Sequence, residues 1–190
     1  MALAYTKTKV ELREISLKKR PEELYEASKK GTVPVLIIND NSVIDESLDI
    51  MLWALKSNSN QTWLPKNHDK ELKIINTNDT LFKKWLDRYK YHDRYPENPK
   101  KYYRKKCDDI LSEYENQLNN TKYLLRDSIS IADISIFPFI RQFANVDYQW
   151  FENNYTKLTV WLEDICSSNL FIQIMKKYEM WNNKNMIISK

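Results

Sequence analysis

Two short runs among the first fifty residues carry groups that could hold a small charged ligand. Asp45-Glu46-Ser47 opens an apolar helical stretch that contains Leu48, Ile50, Met51, Leu52, Trp53 and Leu55. Free N–H groups at a helix start, with the helix dipole and a hydroxyl, suit a carboxylate, while Glu46 can accept from an ammonium. Together they fit the head group of an α-amino acid. The same three residues equally serve as ordinary helix capping. Thr32-Val33-Pro34-Val35 places a proline near the start of the apolar run Val33 to Ile38. Proline cannot donate to a ladder, so it needs an edge, a strand start or a bulge. A cis Val33–Pro34 bond would turn the Val33 N–H and C=O outward, free to pair with an extended peptide; a plain strand start is the other reading.

A third region is chemically marked by charge. Residues 83–106 hold ten basic side chains against Asp87, Asp93 and Glu97, a local excess of seven, interleaved with Tyr89, Tyr91, Tyr95, Tyr102 and Tyr103. Such a pattern suits phosphate contact and base stacking, the solvated outer face of two helices, or a site for an electrophile or anionic conjugate rimmed by Tyr and Lys. No nucleic-acid partner is expected. Cys107 and Cys166 stand apart with no CxxC, and His68 and His92 are the two histidines. No metal site or disulfide framework is expected, and both thiols read as buried core groups.

Composition excludes several classes of enzyme. The chain of 190 residues contains one glycine, Gly31, where average usage of about 7% would give roughly thirteen. Dinucleotide fingerprints, phosphate loops and nucleophile elbows all need glycines where backbone approaches a ligand or takes positive φ, so none can be built here. The net charge of +4 is mild, and residues 1–60 are balanced, nine basic against nine acidic. With no run of about 18 apolar residues and no signal-peptide core, the chain reads as a cytoplasmic protein with no membrane partner.

The elements that must position these groups follow from periodicity. Residues 10–17 alternate as a half-buried strand; Pro21-Glu22-Glu23 starts a short helix that runs to about Ala27 and is closed by Gly31. Val33 to Ile38 reads as a buried strand, Asn39-Asp40-Asn41 as a turn, and Ser42-Val43-Ile44 as the returning hairpin partner. Polar composition between Lys56 and Lys66 marks a linker. Beyond it the pattern is helical: Leu72, Ile75, Leu81, Phe82, Trp85, Leu86 and Tyr89 form one stripe over 70–92, and Tyr103, Cys107, Ile110, Leu111, Tyr114 and Leu118 another over 100–119. Pro96 and Pro99 make these two an antiparallel hairpin. Ser130-Ile131-Ala132-Asp133 is a capping box with Asp in place of the usual Glu or Gln, ahead of a helix over 131–144 that is apolar nearly all round and that Pro138 should kink. Helices over 155–167 and 169–179 follow, and Ile187 to Lys190 has no assignment.

In this order and spacing, Ile15 to Glu22, Gly31-Thr32-Val33-Pro34-Val35-Leu36, Asp45-Glu46-Ser47 and Ser128 to Asp133 before Pro138 resemble the glutathione S-transferase superfamily over nearly the whole chain. The Leu17-Lys18-Lys19-Arg20-Pro21-Glu22 run looks most like its omega-type, cysteine-using branch. The resemblance implies an α/β thioredoxin-like domain over 1–56, a linker over 57–66 and an all-α domain over 67–190. It implies glutathione as co-substrate and no metal, with a homodimer as the expected assembly. Val33 would pair through its backbone with the cysteinyl part of glutathione, and Pro34 would be the cis proline. Glu46 and Ser47 would hold the γ-glutamyl ammonium and carboxylate, and Arg20 would lie near the glycyl carboxylate. Tyr89, Tyr91 and His92 would border the acceptor cleft. Family members carry a first strand and helix whose junction supplies a catalytic Cys, Ser or Tyr. Met1 to Tyr5 already resembles the end of that helix, so this group is expected upstream of Met1, and the sheet is expected to lack its central strand. The implied activity is glutathione conjugation or thiol transfer to a small electrophile or disulfide. The alternatives are a non-catalytic protein-interaction module and an inactive truncated form.

Overall fold

The computed structural model describes residues 1–39, 42–57, 62–64, 68–182 and 187–188. The chain divides into two compact units, one of Met1–Gln61 with Asn169–Lys190 and the other of Thr62–Ser168.

The first unit begins with a short helix α1 (Ala2–Tyr5), then β1 (Glu11–Leu12) and α2 (Glu22–Ala27). Pro21 precedes α2 in extended backbone, and Glu22 and Glu23 occupy its first turn, where carboxylates favour the positive end of the dipole. β2 (Leu36–Asn39) pairs antiparallel with β3 (Ser42–Ile44), and α3 (Ser47–Lys56) follows. The expected turn at Asn39-Asp40-Asn41 lies largely outside the described residues, as does most of the polar stretch between Lys56 and Lys66. α10 (Asn169–Ile174) and β4 (Ile187–Ile188) complete the unit.

Two expectations for this unit are corrected. Of the strand expected over 10–17, Glu11–Leu12 is the part that forms a ladder among the described residues, and its partner is β4: Glu11 faces Ile188 and Leu12 faces Ile187. After it the chain turns back on itself in a bridge between Ser16 and Lys19. The strand expected to be buried is open. Ile37 is 51% exposed: among the described residues β2 pairs with β3 alone, and Ile37 lines an open groove of about 770 Å³. Val10, Leu12, Leu24, Leu36, Ile38 and Trp53 are among the residues that line this groove. Trp181 N–H donates to the Glu14 carbonyl at 2.7 Å, and the Arg13 guanidinium lies 4.9 Å from the Trp181 ring centre.

The second unit is helical: α4 (His68–Thr77), α5 (Lys83–Lys90), α6 (Lys100–Gln117), α7 (Ile131–Ala144), α8 (Tyr148–Asn154) and α9 (Thr156–Cys166). A π-helical turn, Asn78–Phe82, joins α4 to α5. That widened turn explains a departure from the expected stripe: Asn78 and Phe82 turn inward, whereas Leu81 is 50% exposed. α8 has no counterpart among the expected helices; it is short and starts at Asp147, whose side chain accepts from Trp150 N–H. The core is built from Phe82, Leu86, Tyr89, Leu111, Ile136, Ile140, Phe143 and Phe151, all buried, with Phe143 in tilted or edge contact with several of the other rings.

The capping box at the start of α7 is present in full. Asp133, fully buried, accepts from Ser130 N–H at 2.8 Å and Ser130 Oγ at 2.5 Å, and also from Leu124 N–H and Trp161 Nε1, each at 2.9 Å. One carboxylate thus caps a helix, fixes the loop before it and anchors α9. α9 receives a second cap from a distance: Glu115 on α6 accepts from the backbone N–H groups of Lys157 and Leu158, both at 2.8 Å. α7 continues through Pro138 to Ala144. Residues 62–64 dock on the same unit, with Ile131 N–H donating to the Trp63 carbonyl and Arg126 Nη2 to the Thr62 carbonyl.

Candidate functional site

The two ligand-suited runs flank the β2–β3 hairpin: Leu36, two residues after Pro34, pairs with Ile44, two residues before Glu46. The Val33–Pro34 bond is cis. Val33 is 46% exposed, and its backbone makes no hydrogen bond among the described residues. The site therefore presents an open N–H and C=O on one side and a helix start on the other.

At that helix start, Glu46 is the N-cap in extended backbone, and its carbonyl accepts the first helical bond from Ile50 N–H at 3.0 Å. The Glu46 side chain makes no capping hydrogen bond to the start of α3. Ser47 and the Glu46 carboxylate are exposed. Asp45 faces the end of α2: its Oδ2 accepts from Ser28 Oγ at 2.6 Å and its Oδ1 from Lys30 Nζ at 3.0 Å. Lys30 also donates to Glu46 Oε1 at 2.5 Å. The Ser28 hydroxyl and then Lys30 hold the Asp45 carboxyl below its ordinary value, and the Glu46 and Asp45 carboxylates raise the Lys30 ammonium.

Gly31 fixes how Lys30 reaches this point. It sits at φ +59°, and a Cβ there would fall 2.3 Å from Tyr25 Cε1, so both the backbone and the neighbouring ring exclude a side chain. Lys30 was not a sequence candidate. Its signal was only its place beside this glycine, which a lysine pair does not advertise. Arg20 is exposed just before Pro21 and makes no ion pair among the described residues; no bond joins it to this cluster.

The remaining candidates lie in the helical unit. Tyr89 is 2% exposed and its ring centre is 5.1 Å from that of Phe143. It is a core residue rather than part of an open surface. Tyr91 ends α5 half-buried, with Lys90 and Arg94 over its ring. His92 Nε2 is 3.0 Å from Asp93 Oδ1. Around them Lys84, Arg88 and Lys106 all approach the Trp85 ring, so part of the positive charge of this hairpin is set against aromatic faces.

Neither thiol is disposed to react. Cys107 is fully buried on α6, and burial pushes its thiol far up; Cys166 is half-buried and also raised, chiefly by burial. Among the described residues no three His, Cys, Asp or Glu side chains gather as metal ligands, and no helix is long and apolar enough to cross a membrane.

Residues 1–63 match the glutathione S-transferase N-terminal domain, and residues 78–169 match the glutathione S-transferase C-terminal domain. The chain belongs to the glutathione S-transferase superfamily. Its fold is a thioredoxin-like N-terminal domain joined to a helical C-terminal domain. Glutathione S-transferase F13 of Arabidopsis thaliana is 32% identical over 65 residues, which is 34% of this chain and 30% of that protein. The chain therefore spans under a third of that relative in the match. The glutathione transferase URE2P6 of Phanerochaete chrysosporium, solved in complex with oxidised glutathione, aligns with a TM-score of 0.78 at 15% identity over 91% of this chain and 86% of that one. A mutant of poplar glutathione transferase F1 aligns with a TM-score of 0.75 at 18% identity, over 92% of this chain and 88% of its own. These structural likenesses establish the fold.

Proposed function

We propose that the chain binds glutathione at the junction of the Val33–Pro34 bend and the start of α3, in the service of glutathione conjugation or thiol transfer. What supports this reading is the exposed Val33 backbone, which makes no hydrogen bond among the described residues, at the foot of a hairpin whose second strand leads into α3. In this reading Val33 N–H and C=O form a short antiparallel pairing with the cysteinyl residue of the tripeptide, and Pro34 shapes the bend. Ser47 Oγ and the first N–H groups of α3 hold the γ-glutamyl carboxylate, and Glu46 accepts from its ammonium. Arg20 supplies a charge toward the glycyl carboxylate, with a longer fork than a Lys would have.

Conjugation forms a C–S bond between the glutathione thiolate and an electrophilic carbon, which either expels a leaving group or passes the electron pair of an activated double bond to a proton; in thiol transfer the thiolate attacks one sulfur of a disulfide, the S–S bond breaks and the other half leaves as a thiolate. Both run through the thiolate. The described residues orient the peptide for either step. Neither Cys107 nor Cys166 is suited to activate it. Tyr91 and His92 stand as candidates for the acceptor end. A homodimer in the cytoplasm, acting in detoxification, completes the reading. The condition of the two thiols favours a second reading, in which the module binds glutathione or a protein partner without catalysis.

Retention on immobilised glutathione separates site from scaffold. Glu46→Ala and Ser47→Ala together are expected to lose most of the retention shown by the unaltered chain. Retention that survives both substitutions would sink the assignment.

A further inference from the structure

The carboxylate read as the ammonium acceptor already holds an ammonium of the chain's own. Lys30 Nζ is 2.5 Å from Glu46 Oε1 and 3.0 Å from Asp45 Oδ1, and Asp45 is itself oriented by Ser28 Oγ. Backbone geometry delivers Lys30 to this spot. Ser28 N–H closes α2 onto the Leu24 carbonyl, Gly31 N–H donates back to the Ser28 carbonyl at 3.0 Å, and the positive φ of Gly31 turns the chain away. Lys30 sits inside that turn, opposite the start of α3.

We propose that Lys30 is an affinity- and specificity-determining residue that competes with the ligand for Glu46, so that binding exchanges one ammonium for another on a single carboxylate. This rests on the glutathione reading above. The exchange costs little because Asp45 stays in place: when Lys30 leaves Glu46 it keeps its bond to Asp45 Oδ1, and the lysine stem has only to swing between adjacent acceptors. Two consequences follow from the chemistry. A ligand with a free α-ammonium must displace Lys30, which weakens its apparent binding. A ligand without one leaves the Lys30–Glu46 pair intact, so the site discriminates poorly between the two. Lys30 therefore lowers the value of the ligand's ammonium, and the neighbouring carboxylate limits the loss.

The test is calorimetric titration of the full chain with glutathione and with N-acetylglutathione, which lacks the ammonium, for the unaltered protein, Lys30→Met, Lys30→Arg and Glu46→Ala. Lys30→Met keeps the stem and removes the charge. It is expected to bind glutathione about two- to five-fold more tightly, the range of a solvent-exposed ion pair. Its affinity for N-acetylglutathione should stay unchanged, which widens the ratio between the two ligands. Lys30→Arg should behave as the unaltered chain. If Lys30→Met binds glutathione equally or more weakly while the unaltered chain binds and Glu46→Ala weakens binding, the competition proposal is overturned and the site reading stands. If neither the unaltered chain nor Lys30→Met binds glutathione, both are overturned.

Discussion

The two units hold themselves together in different ways. In the helical unit polar groups join separate elements: buried Asp133 ties Ser130, Leu124 and Trp161, and half-buried Glu115 caps a helix on another element. The first unit has a thin interior, its buried apolar residues among those described being Ala2, Ile50, Ala54, Leu55 and Phe171. Thr6 and Ser28 are buried there, but its ion pairs from Lys30 to Asp45 and Glu46 lie at the surface. Its two ladders are separate, with β1 paired to β4 and β2 to β3. The lesson is a division of labour. The unit that carries the ligand-suited groups keeps backbone and charge open to exchange, while the other commits its polar groups to structure.

The largest test of that contrast is Asp133→Ala. It would strand the Leu124 and Trp161 donors and the Ser130 cap in the core, at a cost of about 3 kcal/mol or more. Urea unfolding followed by hydrogen exchange in residues 62–168 should show this loss, and a cost under about 1 kcal/mol would mean that the unit is not organised around this carboxylate. Next in size, Gly31→Ala should cost about 1–2 kcal/mol through its left-handed backbone, with a further steric part from Tyr25. The exchange increase should be confined to the first unit, and Tyr25→Ala should recover only the steric part. Spread of the effect into α6 or α7 would break the separation.

The smallest effect is electrostatic. Asp45 is held below its ordinary 3.8 by Ser28 and Lys30, so its contribution is present above that value and is lost as pH falls through the depressed one. Lys30 is held above 10.5, so its contribution is present below that value and fades as pH rises through the raised one. Protection of the Ser28–Gly31 turn should therefore be flat through neutral pH and decline at both extremes. Asp45→Asn should remove the acid limb, and an acid limb unchanged in that variant would assign the titration elsewhere.

The helical unit was the more legible in sequence, for a physical reason. A helix buried on one face repeats every three or four residues, and the stripe around Tyr103, Cys107, Leu111 and Tyr114 shows this whatever packs against it. Ser130 and Asp133 declare a cap locally. A short apolar run such as Val33 to Ile38 carries no such record of its surroundings, so it reads as buried even where one side is open. The β1–β4 ladder was invisible because two-residue strands have no period. At the candidate site, the cis Val33–Pro34 bond was legible from the motif around it, and the proposed roles of Val33, Glu46 and Ser47 rest on chemistry that is local to each residue. Lys30 was not, since only the third dimension places it against Glu46.

The β1–β4 ladder also sets an order of events during synthesis. Glu11 cannot find its partner until Ile188 has been made, whereas every hydrogen bond of the Asp133 network joins residues between Leu124 and Trp161. β1 therefore waits for its partner while the helical unit emerges and folds in the interval, so a strand made before that unit is paired only after it.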